Sequence, residues 1–204
     1  LTTAKHFPGH GSTSTDSHKT LPKISKSLRE MNMCELLPFR HYAEAGLSGI
    51  MVGHLAAAKV DASGLPASLS PSTAKLLGQI GFTGLVFTDA LEMSGANTSG
   101  SIAVKALRAG NDVLLTLPNA EKEIDNVLKA VADGKLPARL IEEKCKKMLR
   151  YKYALGLASA TPCNELNVSQ QLNNAEPTTL LNRLWAPAIT VVKNKSHELP
   201  TKHL

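Results

Sequence analysis

Short continuous apolar runs alternate with longer segments of helical period over most of this chain, and that alternation restricts its fold more than any other feature. Gly49-Ile50-Met51-Val52-Gly53, Leu85-Val86-Phe87-Thr88 and Asp112-Val113-Leu114-Leu115-Thr116 read as strands, and Leu1 to Ala4 as the end of another. None of them alternates polar with apolar, so they are expected to be buried on both faces, as in a parallel sheet covered by helices. The segments between them carry helical spacing. Residues 28–45 place Met33, Leu36, Leu37 and Tyr42 on one face, with Pro38 expected to bend or split the helix and Gly46 to end it. Residues 56–69 read as a loop; Ser70-Pro71 then supplies an N-cap and a first-turn proline ahead of Leu76, Leu77 and Ile80, with Gly81 as stop. Helices are expected over 102–109, 121–132 and 137–155, each followed by glycine.

Strand and helix therefore alternate about four times, which fits a doubly wound sheet or a (β/α)8 barrel. Lys5, His54 and Asp89 each stand at or just past the C-terminal end of a strand. Both architectures bind ligands at those ends.

The chain has 204 residues, the size of one ordinary domain. Its net charge of +6 comes with lysines crowded between Lys122 and Lys152, but Glu121, Glu123, Asp125, Glu142 and Glu143 are interspersed, which reads as solvated helix faces. Aromatic residues make up 4% of the sequence, too few for a surface that stacks single-stranded nucleic acid. No run approaches the ~20 apolar residues needed for a membrane span. Cys34, Cys145 and Cys163 are widely spaced and include no Cys-x-x-Cys pair. Cys34 lies among apolar helix residues and is expected to be a buried thiol, and a disulfide between two of the three cysteines stays open.

The densest chemistry lies in residues 5–18, where His6, His10, His18, Lys5 and Asp16 share one glycine-bearing loop. Such a gathering of titratable groups suits catalysis better than packing. In Asp16-Ser17-His18, a carboxylate two residues from an imidazole can hold one ring nitrogen and tune the other for proton transfer. Asp89 follows a buried strand; it reads equally as a helix N-cap and as a carboxylate exposed at the catalytic face. Together the two groups point to an acid/base on one side of a bond and a nucleophile on the other, the division of labour of a retaining glycosidase with an imidazolium as the acid.

Lys5-His6-Phe7-Pro8-Gly9-His10-Gly11 followed by Asp16-Ser17-His18 resembles glycoside hydrolase family 3, in its β-N-acetylglucosaminidase branch. Gly81-Phe82-Thr83-Gly84-Leu85-Val86-Phe87-Thr88-Asp89-Ala90-Leu91 is similar to that family's nucleophile segment. Ala109-Gly110-Asn111-Asp112 is similar to its next strand entry, and residues 49–54 also fit. The resemblance implies a (β/α)8 TIM barrel of which residues 1–157 form the C-terminal half, with about four βα units. It implies Asp89 as the nucleophile, His18 as acid/base oriented by Asp16, and Lys5 and His6 as ligands of sugar hydroxyls. The substrate it implies is a terminal β-linked N-acetylglucosamine on a glycan or muropeptide. It implies no cofactor, no metal and no nucleic acid. Some relatives use phosphate in place of water. The aspartate and arginine that grip the sugar in the family belong to the first half of the barrel, so residues 1–204 alone are expected to be inactive.

Beyond Gly156 the texture changes. Residues 158–178 are rich in Ser, Thr, Asn, Gln and Pro, and residues 158–187 are expected to form a linker or surface strap that ends in a short helix over 180–185. A strand is expected over 189–192, and residues 188–204 resemble the entry to a second domain of the kind fused to exported bacterial enzymes, so a periplasmic location is implied. Two rivals stand beside the glycosidase. One is a metal-dependent hydrolase using His6, His10, Asp16 and His18, although their spacing matches no zinc motif. The other is a binding module that only holds sugar. A phosphate site on Pro8-Gly9-His10-Gly11-Ser12-Thr13 lacks the residues of either nucleotide-binding loop.

Overall fold

The computed structural model describes residues 1–162 and 165–192. The chain divides into two compact units, Leu1–Ala158 and Ser159–Leu204. In the first, β1 (Thr3–Phe7), β3 (Gly49–Val52) and β5 (Leu85–Thr88) form a parallel sheet in the order β1-β3-β5. Between them β2 (Lys23–Ile24) pairs in parallel with β4 (Ala56–Ala57). Parallel strands that follow one another across the sheet in chain order fit a barrel, and no switch point of a doubly wound sheet interrupts these three. The fold is of TIM-barrel type.

Helices occupy the crossovers. Residues 28–45 split into α1 (Leu28–Met33) and α2 (Leu37–Glu44), with Pro38 in the first turn of α2. Ser27 and Glu30 close a capping box at the start of α1, in which Glu30 Oε2 accepts the Ser27 N–H at 2.7 Å. Ser70 caps α3 (Pro71–Gln79) and Ser101 caps α4 (Ile102–Arg108). Asn119 caps α5 (Ala120–Ala132), and α6 (Ala138–Ala154) follows.

The main core joins strand residues Phe7, Ile50, Val52 and Val86 to Met31, Leu36, Phe39, Leu76 and Leu77 from the helical layer. Phe7 meets Phe39 edge to face with ring centroids 5.2 Å apart. A second cluster, Leu69, Leu91, Ala96, Ile102 and Ala106, lies under the segment that follows β5.

Three sequence expectations for the first unit are corrected. The strand over 112–116 is reduced to a single parallel bridge, Phe87 to Val113. Both the Asp112 and Val113 amides go to Val86 O, and the Leu115 N–H goes to the Thr88 side-chain oxygen, so the backbone ladder is broken after one rung. Cys34 is exposed, because α1 ends at Met33 and Cys34 is its C-cap instead of part of an apolar helix face; Cys145 is likewise an exposed free thiol, and Cys163 lies outside the described residues. The lysine-rich segment is not wholly a solvated face. Lys144 is buried against Asp112, whose carboxylate also accepts from Lys147 Nζ at 2.7 Å and from the Val86 N–H at 3.0 Å. Burial pushes the Lys144 ammonium below its ordinary range, and Asp112 opposes that shift.

In the second unit, the expected strap holds α7 (Val168–Leu172) and α8 (Ala175–Ala188), the latter capped by Asn174. Residues 189–192 form no strand, and residues 193–204 of the expected second domain lie outside the described residues.

The Asp112 carboxylate, 5% exposed, joins the edge of the sheet to α6. Removing one member of a buried ion pair strands the other, at a cost of about 3–5 kcal/mol. Asp112→Ala is therefore expected to lower unfolding free energy in urea by about that amount; a loss below ~1 kcal/mol is the value for a surface pair and contradicts this role.

Candidate active site

The ladder aligns the strand ends. Thr3 pairs with Gly49 and Ala4 with Ile50, and the register then shifts before Phe7 pairs with Val52. Such irregularities re-aim side chains beside active sites. Here the shifted residues are Lys5, which is exposed, and His6, which is half-buried. Beyond the ladder the Gly53 N–H donates to Phe7 O and the Asp89 N–H to Val52 O, both at 2.9 Å, which carries the pairing one residue past Phe7, Val52 and Thr88 and sets Asp89 level with Gly53. His6 packs over Gly53, where an added Cβ would lie 3.0 Å from His6 Cβ.

His6 reaches Asp89: its Nε2 lies 3.5 Å from Asp89 Oδ2. Burial lowers the His6 pKa below its ordinary 6.5, opposed by Asp89 and reinforced by Lys5, His10 and His54. Asp89 caps no helix, since the short 3-10 turn Ser94–Ala96 is capped by Met93 and α4 begins at Ile102. Its Oδ1 accepts the adjacent Ala90 N–H at 2.9 Å, and its side chain is 17% exposed, enough to meet a ligand.

The Asp16–His18 pair forms as its spacing implies. Asp16 Oδ1 accepts from His18 Nδ1 at 2.8 Å and from the His18 backbone N–H at 2.9 Å. These two bonds hold the Asp16 carboxyl below the usual carboxylate range. With Nδ1–H committed to Asp16, Nε2 is left to exchange a proton. The side chains are 50% and 76% exposed, but the loop is anchored by Ser17, which is buried. At Gly95 a Cβ would lie 2.9 Å from Ser17 O and 3.0 Å from His54 Cβ, so only glycine lets the loop close here. The loop that carries the pair thus docks beside His54, whose own Nε2 bonds Ala90 O next to Asp89. Among the described residues no hydrogen bond or ion pair joins His18 directly to Asp89.

Sequence reasoning missed Glu35 and Lys26. Glu35 has a side chain 4% exposed and is paired with Lys26. Burial works against its charge, but the Lys26 bond prevails and holds Glu35 below its ordinary range. Gly9 has φ +126, and a Cβ there would meet Glu35 Cβ at 2.5 Å, so Glu35 sits directly against the Pro8-Gly9-His10 turn. The only sequence signal was a charged residue placed between two helix pieces ahead of Pro38. A cleft of about 490 Å³ opens between Lys5, His6, His10, Ser12, Lys26 and Glu35. A larger groove, about 760 Å³, runs along α6 past Leu149 and Tyr153 and contains no carboxylate or imidazole. No three His, Cys, Asp or Glu side chains among the described residues converge as a metal site.

Residues 1–151 match the family described as glycosyl hydrolase family 3 N terminal domain. A β-hexosaminidase of Chromobacterium violaceum is 35% identical over 153 residues, covering 72% of this chain and 42% of that protein. A β-hexosaminidase of Nitrosospira multiformis is 43% identical over 122 residues, covering 57% of this chain and 34% of that protein. Among solved structures, a family 3 β-N-acetylglucosaminidase from Paenibacillus sp. aligns with a TM-score of 0.81 at 32% identity, over 89% of this chain and 36% of that one. The chain thus spans 34% to 42% of the length of these relatives.

Burial also lowers the His54 pKa below 6.5, against the opposing pull of the Ala90 carbonyl and Asp89. Between the folded and unfolded values, the unfolded chain holds a proton that the folded chain lacks. The stabilisation from neutral His54 is therefore complete above 6.5 and is lost as pH falls through that window. In urea unfolding, acidification from neutrality toward pH ~5 is expected to lower stability, by up to about 1.4 kcal/mol per pH unit for one proton. His54→Gln is expected to flatten that slope, and an unchanged slope contradicts the assignment.

Proposed function

We infer the function from one premise, that the chain belongs to glycosyl hydrolase family 3, and propose that it carries the nucleophile and the acid/base of a retaining exo-β-N-acetylglucosaminidase. In this reading residues 1–157 act as the C-terminal half of a family 3 barrel within a longer protein, and residues 188–204 lead into a further domain. The glycone is argued from the names of the relatives, which are β-hexosaminidases and a β-N-acetylglucosaminidase.

One observation carries the proposal: the loop of the Asp16–His18 pair is docked through Ser17 onto Gly95, which packs against His54 at the strand end that bears Asp89. In the first step the Asp89 carboxylate attacks the anomeric carbon. The glycosidic carbon–oxygen bond breaks, and His18 Nε2 gives its proton to the departing oxygen. The sugar is left as an ester on Asp89. In the second step neutral His18 takes a proton from water, the water oxygen bonds to the anomeric carbon, and the Asp89 carboxylate departs. Asp16 holds Nδ1–H throughout and stabilises the imidazolium, as the carboxylate of a catalytic triad does. Lys5 and His6 bind hydroxyls of the sugar in the cleft beside Asp89, and no cofactor is used. A binding module has no need of a nucleophile and an oriented proton donor on one face.

The direct test is covalent trapping. The full-length enzyme, incubated with a fluorinated glycosyl fluoride of N-acetylglucosamine and digested, is expected to carry one added sugar on the peptide containing Asp89. Label on another residue overturns the nucleophile assignment. Asp16→Asn is expected to reduce kcat by about 10²–10⁴-fold, because an amide oxygen cannot stabilise the imidazolium charge; a kcat within threefold of the unsubstituted enzyme contradicts its role.

A further inference from the structure

His54 is fully buried, and both of its ring nitrogens are engaged. Its Nε2 lies 2.9 Å from Ala90 O, an atom that can only accept, so Nε2 carries the hydrogen. In the neutral ring Nδ1 is then an acceptor, and it receives the Ser68 hydroxyl at 2.7 Å. Ser68 is itself fully buried, and its backbone carbonyl accepts from Asn111 Nδ2 at 2.8 Å. Asn111 also donates to Ala106 O at 2.8 Å, which ties this end of the relay to α4. The other end reaches the nucleophile. Ala90 is held at its carbonyl by His54 and at its N–H by Asp89 Oδ1, so the position of Ala90 sets which carboxylate oxygen is occupied. Oδ2 is left toward His6 Nε2. On its other side His54 Cβ is packed against Gly95, whose opposite neighbour is the Ser17 carbonyl of the dyad loop.

We propose that His54 is a positioning residue: through Ala90 it holds the Asp89 carboxylate with Oδ2 presented to the anomeric carbon, and through Gly95 it sets the seat on which the Asp16–His18 loop docks. The inference rests on the retaining-glycosidase reading above and adds a residue to it that touches neither sugar nor proton. With no exposure and no free nitrogen, His54 has no part in proton transfer. Its work is geometric, and in a relay of buried groups geometry is steep: a displacement of about 1 Å at the reacting atoms costs about a hundredfold in rate.

The test compares His54→Leu, His54→Gln and Ser68→Ala in the full-length enzyme, using the fluorinated glycosyl fluoride to time the formation of the Asp89 ester. Leucine removes the donor to Ala90, and glutamine keeps an N–H that can reach it. Labelling of folded His54→Leu is expected to slow about a hundredfold, with KM for an aryl N-acetylglucosaminide within threefold of normal, and His54→Gln is expected to recover to within about threefold. A folded His54→Leu enzyme that labels at the normal rate, even with a lowered Tm, marks a packing residue and overturns the inference while leaving the retaining reading intact. An unsubstituted enzyme that never labels overturns both. Should His54→Leu fail to fold, Ser68→Ala decides. Loss of the hydroxyl that fixes the ring is expected to slow labelling about tenfold, and a normal rate overturns the inference.

Discussion

The parallel register of β1, β3 and β5 is the constraint on which the site depends. Gly49 lies level with Thr3 on one side and with Leu85 on the other, so three strands finish together and their following residues face one space. The two amide bonds that extend the ladder, Gly53 to Phe7 and Asp89 to Val52, carry that alignment one residue beyond the regular sheet. A slip of one residue in β5 would turn Asp89 to the opposite face, because side chains alternate with a period of two. Apolar burial fixes the register against such a slip: Ile50 and Val52 are fully buried in the middle strand, and Phe7 and Val86 flank them in the same core.

On this rigid floor the polar groups fall into two kinds. The Asn111–Ser68–His54–Ala90 relay is buried, as is Glu35 in its pair with the part-buried Lys26, and in a low-dielectric interior a broken member is costly. They hold the turns after β1, β3 and β5. The Asp16–His18 pair is largely exposed and contributes little to stability. It orients one imidazole and keeps its Nε2 available. The division suits chemistry that needs a fixed nucleophile and a proton carrier on a loop, where the carrier meets the leaving group from outside the strand ends.

The sequence was legible where local signals agree with tertiary demand. Ser70-Pro71, Gly81 and the run from Leu85 to Thr88 mark the ends of α3 and β5, and the Asp16–His18 spacing was sufficient to predict the hydrogen bond that forms. It was less legible where one residue answers to partners distant in the chain. Residues 112–116 have a strand's composition, but a carboxylate at the first position draws Lys144, Lys147 and the Val86 amide, and the ladder stops. Glu35 falls within the helix expected over 28–45; the break between α1 and α2 instead turns it inward under Gly9. The polar composition of residues 158–178 suggested a strap, whereas the Asn174 cap starts a helix within it. His54 stood out as a strand-end residue, but its partners lie at positions 68 and 90 and no local pattern indicates them.

The central claim is that a carboxylate fixed at the end of β5 and an imidazole on the loop after β1 cleave a glycosidic bond by double displacement. The stereochemistry of the freshly released sugar tests it most directly, read by proton NMR on the full-length enzyme before mutarotation. The account predicts that β-N-acetylglucosamine appears first, since two inversions restore the starting configuration. If the α-anomer appears first, the bond is broken by a single displacement, and Asp89 is not a nucleophile.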